Sequence, residues 1–186
     1  WDAAPMVGDR VLVIGAGVLG LLVAWLCRQI PGTEVTLIDV NPARGEIARA
    51  WGLPFALHAD PGSEADLVIH ASGNPAGLEQ ALNAAGPEAT IVELSWYGDR
   101  RVSLPLGEAF HSRRLLLKSS QVGRVPPNRS ARWDFRRRLA LALDLLRDER
   151  LDRLITGESP FDQLPEVLAK LATEPGDTLC HRIRYP

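Results

Sequence analysis

The stretch Val11-Leu-Val-Ile-Gly-Ala-Gly-Val-Leu-Gly20 decides the fold of this chain. Its first four residues are apolar and mostly β-branched, which is typical of a buried strand, and three glycines follow at once. Leu21 to Ile30 then continues as a helix that is apolar nearly all round, and Pro31-Gly32 ends it. The sequence therefore predicts a strand, a glycine-rich turn and a buried helix in immediate succession.

The three glycines have the spacing G-x-G-x-x-G, in which each glycine has a different task. Gly15 permits the tight turn out of the strand, Gly17 lets the backbone approach a pyrophosphate, and Gly20 allows the helix to pack closely on the sheet. Unpaired N–H groups and a partial positive charge at the start of the helix then face the phosphates. Because a strand precedes the motif and a helix follows it, the motif predicts dinucleotide binding.

An acidic residue lies at the position that such a site requires. Asp39 follows the second apolar run, Val35 to Ile38, and a carboxylate at about this distance accepts hydrogen bonds from both ribose hydroxyls. It also repels the 2′-phosphate of NADP, so we expect NAD to be preferred over NADP. Arg44 either covers the adenine or ribose or lies on a solvated helix face. Two alternatives remain open: a tight turn with no ligand, and a methyltransferase with a related glycine loop.

Strands and helices alternate along the first two thirds of the chain. Further strands are predicted at 56–58, 67–71, 90–96 and 115–119, and helices from an Asn41 N-cap to about Gly52 and over 76–85. This alternation predicts an α/β fold with a doubly wound, parallel, six-stranded sheet. Only seven residues separate His58 from Asp66, too few for a crossover helix. We therefore predict an extended linker there, within the strand order 3-2-1-4.

The composition is that of an ordinary globular protein, with 186 residues, 46% hydrophobic and 24% charged, and a net charge of −2. The longest apolar run is too short to span a bilayer, and no signal peptide is visible, so we expect a cytoplasmic protein with no membrane partner.

Residues 100–138 hold eleven basic against two acidic residues, a local net charge of +9. Such runs are usually solvated, and we expect no nucleic-acid partner. An acidic substrate group or another domain remains an alternative partner for them.

The residues that bind metals are scattered through the chain. Catalytic zinc requires about three converging ligands, whereas the four histidines and two cysteines lie on different predicted elements. We therefore predict no metal site and no catalytic residue in this chain. Cys27 is predicted to be a core residue, and His70 to be a hydrogen-bonded core residue in a central strand. His111 remains a candidate for a substrate role.

From Gly8 to its C-terminus the chain resembles the cofactor-binding half of the medium-chain dehydrogenase/reductase superfamily, the zinc-type alcohol dehydrogenases and their relatives. Ile69-His-Ala-Ser-Gly-Asn74 resembles the segment after the fourth strand that touches the adenosine side in that family. Ser95-Trp-Tyr-Gly98, Glu108-Ala-Phe-His111 and Lys118-Ser-Ser-Gln-Val-Gly123 are similar to one subgroup. That subgroup contains hydroxyethyl-bacteriochlorophyllide dehydrogenase.

The resemblance implies roles for residues at the carboxyl edge of the sheet. Backbone N–H groups of Val18 and Leu19 would meet the pyrophosphate. Leu94 to Trp96 would border the nicotinamide, and Ser120 to Val122 would offer backbone groups to its carboxamide. Ser95 occupies a position where many relatives have glycine. The complete predicted cofactor site is Gly15, Gly17, Val18, Leu19, Gly20, Asp39, Val40, Arg44, Ser72, Gly73, Leu94, Ser95, Trp96, Ser120 and Gln121.

The resemblance also implies a domain organisation and an activity. Residues 1–155 would form a Rossmann-type NAD(P)-binding domain, and residues 156–186 a C-terminal remnant of the GroES-like catalytic domain. We expect the N-terminal catalytic domain, with the substrate site and any zinc ligands, to be absent from this chain. The implied reaction is hydride transfer between a secondary alcohol or carbonyl substrate and NAD, with this chain alone binding the cofactor without turnover. A homodimer through the edge strand 115–119 is implied as well. The alternative is a non-catalytic NAD(H)-binding sensor or subunit.

Overall fold

The computed structural model describes residues 1–186 and contains two compact units, Trp1–Asp134 and Phe135–Pro186. The first unit is built on a six-stranded sheet of order β3-β2-β1-β4-β5-β6, and every neighbouring pair is parallel. Its strands are β1 (Arg10–Ile14), β2 (Glu34–Ile38), β3 (Phe55–Ala56), β4 (Ala65–His70), β5 (Ala85–Glu93) and β6 (Leu116–Ser119). The predicted α/β fold with a parallel six-stranded sheet is confirmed.

The helices of the first unit follow the strands as the alternation predicts. They are α1 (Val18–Arg28), α2 (Arg44–Ala50), α3 (Pro75–Ala84), α4 (Ala109–Ser112) and α5 (Pro127–Ser130). At the start of α3 the Asn74 side chain accepts a hydrogen bond from the Ala76 N–H at 3.0 Å. The prediction of Asn41 as the N-cap of α2 is wrong, because that helix begins later, with Ala43 as its N-cap. Asn41 Oδ1 instead accepts from the Ala43 N–H, at 2.9 Å, in the turn before the helix.

The connection between β3 and β4 contains no helix. Two hydrogen bonds attach it to α3 instead. The Ala59 N–H donates to Gln80 Oε1 at 3.2 Å, and the Ser63 hydroxyl donates to the Ala84 carbonyl oxygen at 3.1 Å. The predicted linker without a helix is confirmed, and so is the strand order that it must cross. The linker is not fully extended, because Pro61 and Gly62 form a turn in which the Ser63 N–H donates to the Asp60 carbonyl oxygen at 3.0 Å.

The core of the first unit lies around the three central strands. Val11, Val13, Val68 and Ile91 are fully excluded from solvent. A buried aliphatic side chain of this size contributes roughly 1.5–3 kcal/mol relative to exposure, so these strands are held firmly in place. Their carboxyl ends therefore form a fixed edge for the loops that follow. Cys27 also belongs to the core, as predicted, and burial raises the pKa of its thiol to about 11.

The second unit is smaller and less buried. It contains α6 (Phe135–Leu145), two short 3₁₀ helices (Glu149–Leu154 and Phe161–Gln163), β7 (Ile155–Pro160), α7 (Leu164–Thr173) and β8 (Cys180–Arg184). β7 and β8 pair in parallel as a two-stranded sheet. Leu151 and Leu154 are buried, whereas α6 and α7 contain no buried residue. Across both units, none of the helices has the length and the apolar character needed to cross a membrane.

Candidate functional site

A cleft of about 320 Å³ opens at the carboxyl ends of β1, β2 and β4. Ligands of open parallel sheets bind at this edge, where the strand order reverses direction. Six of the predicted cofactor residues line this one cleft: Gly15, Gly17, Asp39, Val40, Arg44 and Ser72. The fold thus brings together residues from three separate loops.

Two of the three motif glycines are required by the fold itself. Gly15 has a φ of +105°, and a Cβ atom there would lie 2.6 Å from the Ser72 backbone nitrogen. Its N–H donates to the Ile38 carbonyl oxygen at 2.7 Å, which joins the ends of β1 and β2. At Gly20 a Cβ would overlap the Gly15 carbonyl oxygen. Side chains are therefore excluded from both positions by neighbouring backbone.

Gly17 differs from the other two glycines. Its φ of −72° with an extended ψ suits any residue, and a Cβ there would meet no atom within 4 Å. It is the N-cap of α1, and neither a capping side chain nor an acidic residue occupies the first turn of that helix. The N–H groups of Val18, Leu19 and Gly20 therefore lie in the first turn of α1, next to open space. An anion is stabilised at such a helix start.

Asp39 is fixed beside the glycine loop by backbone donors. Its Oδ2 accepts a hydrogen bond from the Ala16 N–H at 2.7 Å, and its Oδ1 accepts from the Asn41 N–H at 2.8 Å. Each carboxylate oxygen can accept more than one hydrogen bond, so both remain available to hydroxyl groups. Val40, the next residue, is 71% exposed and lines the same cleft.

A polar network fills the space at the ends of β4 and β5. His70 is fully buried, with Nδ1 2.8 Å from Glu93 Oε2 and Nε2 2.6 Å from Ser72 Oγ. The prediction that His70 is a hydrogen-bonded core residue is confirmed. Ser72 connects this network to the cleft, because it contacts the ring and also lines the cleft wall.

Glu93 receives three donors in this network. Besides His70, the Ser95 N–H donates to its Oε1 at 2.7 Å and the Tyr97 hydroxyl donates to its Oε2 at 3.1 Å. Burial alone would raise the pKa of the Glu93 carboxyl, but the hydrogen bond and charge of His70, with the Ser95 donors, lower it overall. Burial and the nearby Glu93 charge raise the pKa of Tyr97 to about 12.

Glu93 and Tyr97 were not predicted as site residues. His70 and Glu93 are direct neighbours on adjacent parallel strands. The sequence shows a polar residue near the end of each strand, but their contact depends on the register, which the sequence does not specify. Tyr97 offered no such signal, since it lies in the irregular segment after β5.

The residues predicted on the nicotinamide side lie outside this cleft. Leu94 and Ser120 line a second cavity, of about 300 Å³, together with Trp1 and Asp2. The Ser120 hydroxyl donates to Asp2 Oδ2 at 2.8 Å. Trp96 is 90% exposed. Six of the predicted residues thus line the cleft and two line the second cavity. The remaining seven line neither: Val18, Leu19, Gly20, Gly73, Ser95, Trp96 and Gln121.

Ser95 and Gln121 are engaged by neighbouring backbone. Ser95 Oγ accepts from the Gly73 N–H at 3.0 Å, which ties together the loops that follow β4 and β5. Gln121 Oε1 accepts from the Gly123 N–H at 2.6 Å. Across the whole chain, no group of three or more His, Cys, Asp or Glu side chains is placed to hold a metal ion.

Comparisons with known proteins place this fold among dehydrogenases. No family model matches the sequence. L-threonine 3-dehydrogenase from Aeromonas salmonicida (strain A449) is 36% identical over 89 residues, which are 48% of this chain and 26% of that protein. The alignment therefore spans about a quarter of the length of this curated relative.

Solved structures match over nearly the whole chain. An alcohol dehydrogenase zinc-binding domain protein from Burkholderia ambifaria has a TM-score of 0.76 at 21% identity, covering 100% of this chain and 50% of that one. A protein described as a short chain alcohol dehydrogenase from Escherichia coli CFT073, complexed with NADH, has a TM-score of 0.73 at 22% identity, covering 98% of this chain and 53% of that one. A zinc-binding dehydrogenase from Sinorhizobium meliloti 1021, bound to NADP, has a TM-score of 0.72 at 21% identity, covering 99% and 53%.

The sequence relative and these structural neighbours are dehydrogenases, and two of the structures are described as zinc-binding; at 21–22% identity the solved structures show that this chain shares their fold. The predicted resemblance to the zinc-type alcohol dehydrogenases is confirmed. The chain spans about half the length of the neighbouring structures. The similarity to one particular subgroup stays a prediction.

Proposed function

We propose that this chain is the nicotinamide-dinucleotide-binding domain of a medium-chain alcohol dehydrogenase-like oxidoreductase. The observation that carries the proposal is Gly17, a glycine that the fold does not require, facing open space at the start of α1. Asp39 stands beside it with both carboxylate oxygens able to accept further hydrogen bonds. Neighbours of the same fold in complex with NADH and with NADP support the proposal.

Each part of the predicted cofactor site, inside the cleft and outside it, then has a definite task. The N–H groups at the start of α1 donate to the pyrophosphate, and Asp39 accepts from the ribose hydroxyls. Leu94, Ser95 and Trp96 border the nicotinamide, and the backbone of Ser120 and Gln121 meets its carboxamide. The dinucleotide supplies the hydride chemistry when bound, and the chain supplies its orientation and electrostatic surroundings.

We further propose that NAD is preferred over NADP. The Asp39 carboxylate is held by two backbone N–H donors and is not free to turn away from a 2′-phosphate. Two like charges about 4 Å apart repel by roughly 4 kcal/mol at an effective dielectric constant near 20. Arg44 lines the same cleft and opposes this repulsion in part. The repulsion by Asp39 is expected to exceed the attraction by Arg44, because Asp39 follows β2 directly and lies next to the glycine loop. NAD is therefore favoured.

The complete enzyme is proposed to transfer hydride between a secondary alcohol or carbonyl substrate and NAD. The present chain spans about half the length of its structural neighbours. The substrate site, and zinc if the protein uses it, are assigned to the region outside this chain. Alone, the chain is expected to bind cofactor without turnover. A non-catalytic NAD(H)-binding sensor or subunit is the alternative, and turnover by the full-length protein on a panel of secondary alcohols would separate the two.

A homodimer through β6 is part of the proposal. β6 is the edge strand of the sheet, and Leu116 on it is 55% exposed. An uncovered apolar edge strand tends to pair with another chain. Light scattering coupled to gel filtration is expected to give twice the monomer mass for the full-length protein. A monomer at all concentrations would contradict this part of the proposal alone.

Cofactor binding is tested by titrating the chain with NADH and with NADPH while following tryptophan fluorescence. The chain has five tryptophans, of which Trp96 is proposed to lie beside the nicotinamide. Saturable quenching by NADH, stronger than by NADPH and reduced in Trp96→Phe, is the expected result. If neither nucleotide binds to the folded chain, the proposed function is wrong.

A further inference from the structure

The buried network at the ends of β4 and β5 has a consequence for the cleft. Its central residue, His70, is completely excluded from solvent and has a hydrogen-bond partner at each ring nitrogen. One partner is the Glu93 carboxylate and the other is the hydroxyl of Ser72. The chemical character of that hydroxyl therefore depends on which ring nitrogen carries hydrogen.

Glu93 determines the tautomer of His70. Its side chain is 12% exposed and accepts hydrogen bonds from the Ser95 N–H and the Tyr97 hydroxyl. A carboxyl group that receives a donor at each of its two oxygens is an ionised carboxylate, which only accepts hydrogen bonds. His70 Nδ1 must then carry a hydrogen and donate it. In the neutral ring Nε2 is consequently an acceptor, and the Ser72 hydroxyl donates to it at 2.6 Å.

With its hydrogen directed at His70, Ser72 Oγ presents lone pairs to its other neighbours. The Asn74 N–H donates to one of them at 3.2 Å. No second N–H group of the chain donates to Ser72 Oγ, whose remaining neighbour is the Asn74 carbonyl oxygen at 3.5 Å, and Ser72 is an exposed residue that lines the cleft. Its backbone also lies directly against the glycine loop, at the position that a Cβ of Gly15 would occupy. Ser72 Oγ can therefore accept a further hydrogen bond from a ligand on that loop.

The start of α3 leaves room for this arrangement. A Cβ at Gly77 would lie 2.5 Å from Ser72 Oγ and 2.7 Å from His70 Nε2. Both values are shorter than any normal carbon contact with these atoms, so a side chain at position 77 would push the hydroxyl and the ring apart. Glycine at that position allows the hydrogen bond between them.

We propose that Ser72 contacts the cofactor and that His70 and Glu93 are positioning residues, which hold the Ser72 hydroxyl as an acceptor for a hydroxyl or amino hydrogen of the nucleotide. The inference rests on the proposed function, because it requires a dinucleotide in the cleft. Ribose hydroxyls and the adenine amino group both supply such hydrogens. The methyl side chain of Ser72→Ala would leave the ligand donor without this partner.

The first test compares Ser72→Ala with Ser112→Ala in a calorimetric titration with NADH at pH 8. Ser112 is a matched control, because its exposed hydroxyl donates only to the Glu108 carbonyl oxygen, within α4. Ser72→Ala is expected to weaken NADH binding roughly two- to tenfold, the effect of one hydrogen bond, and Ser112→Ala to leave it unchanged. Unchanged binding in Ser72→Ala would overturn the inference.

The second test asks whether His70 acts through Ser72. The amide of His70→Asn matches the position of Nδ1 and keeps the Glu93 contact, whereas that of His70→Gln matches Nε2 and keeps the Ser72 contact. We expect His70→Asn to weaken NADH binding as much as Ser72→Ala does, and His70→Gln to restore most of the affinity. The double variant Ser72→Ala with His70→Asn is expected to bind no more weakly than Ser72→Ala. Independent, multiplying losses would show that His70 acts elsewhere.

A direct measurement on the unmodified chain does not depend on whether these variants fold. Nitrogen-15 NMR of the imidazole at pH 8 is expected to show a protonated Nδ1 and an unprotonated Nε2 for His70. A hydrogen on Nε2 would contradict the inference. Failure of the proposed function is distinguishable, since it would abolish NADH binding by the unmodified chain as well.

Discussion

Two neighbouring parts of the carboxyl edge of the sheet differ, since one is open to a ligand and the other is filled by side chains. Beside β1 and β2, the cleft is open and is lined by backbone N–H groups and a carboxylate that backbone donors fix. Beside β4 and β5, the space is filled by side chains that satisfy one another, with His70 and Glu93 at the centre. Ser72 is the residue at which the two regions meet.

One sheet edge thus serves both ligand binding and rigidity of the fold. The turn after β1 leaves the unpaired N–H groups at the start of α1 next to open space, where an anionic ligand can bind. A buried, mutually satisfied network admits no ligand of its own but holds its members in one arrangement. We call the cleft beside β1 and β2 the open region, and the His70–Glu93 network beside β4 and β5 the filled region. Mutations in the open region are expected to change mainly the affinity for the ligand, and mutations in the filled region mainly the stability of the fold.

The largest expected effect separates the glycines within the open region. Gly15→Ala places a Cβ against the Ser72 backbone at a φ of +105° and should lower the free energy of unfolding by about 3 kcal/mol, a fall of roughly 6–12 °C in melting temperature. Gly17→Ala meets no atom and should change stability by less than about 0.5 kcal/mol. Calorimetric unfolding of both variants checks this. Equal losses would erase the distinction between a glycine required by the fold and one left for a ligand.

The next effect concerns the choice of cofactor. Asp39→Asn keeps the shape of the side chain but removes its charge, so NADH binding is expected to weaken about tenfold, the equivalent of about 1.4 kcal/mol. NADPH binding should weaken less or improve, since the repulsion of the 2′-phosphate is gone. The ratio of the two dissociation constants, measured by fluorescence titration, is the readout. A ratio equal to that of the unmodified chain would show that Asp39 does not select the cofactor.

In the filled region, acid should act through Glu93. Its pKa is lowered in the folded chain from an ordinary value of 4.5, so its ionised form stabilises the fold fully above that pH. This contribution is lost as the pH falls below 4.5 through the folded pKa. Glu93→Gln is already neutral, so it should lose less stability than the parent chain between pH 7 and pH 4. Chemical unfolding at the two pH values measures the loss, and identical losses in both chains would refute the assignment.

The smallest effect belongs to Tyr97. Tyr97→Phe removes the hydroxyl donor at 3.1 Å from Glu93 and is expected to cost about 0.5–1.5 kcal/mol of stability. NADH affinity should stay the same, because His70 and the Ser95 N–H still contact Glu93 when the phenol hydroxyl is removed. The phenol should titrate near pH 12 in the parent chain, as its raised pKa requires. A substantial loss of affinity in Tyr97→Phe would move this residue from the filled region into the binding site.

Most of the open region could be predicted from the sequence, because it is local. The apolar run, the glycine spacing and Asp39 at the end of the second strand all lie within 29 consecutive residues, and each has a backbone cause. The short linker before β4 was predictable for the same reason, since chain length alone excludes a crossover helix. The position of the α2 N-cap was not predictable, because Asn41 can cap either a turn or a helix.

The filled region depends on contacts between distant residues. His70 and Glu93 are 23 positions apart, and Ser120 and Asp2 are 118 positions apart. Such pairs require the sheet order and register, which no local pattern specifies.

In the second unit, helical spacing of apolar residues also fails to predict burial. Leu139, Leu143 and Leu146 have the spacing of a buried helix face, yet each remains at least 58% exposed.

The central claim is that the space beside Gly17 receives the phosphates of a nicotinamide dinucleotide. Calorimetric titration of the chain and of Gly17→Val with NADH tests it most directly, with the melting temperature of each chain as a check of folding. We expect saturable one-to-one binding by the unmodified chain. We also expect at least a tenfold loss in Gly17→Val with a fall of only a few degrees in melting temperature, roughly what a less favourable N-cap residue costs, because a Cβ at this position points into open space beside the start of α1. Equal affinity of the two chains, or no binding by the folded parent chain, would contradict the claim.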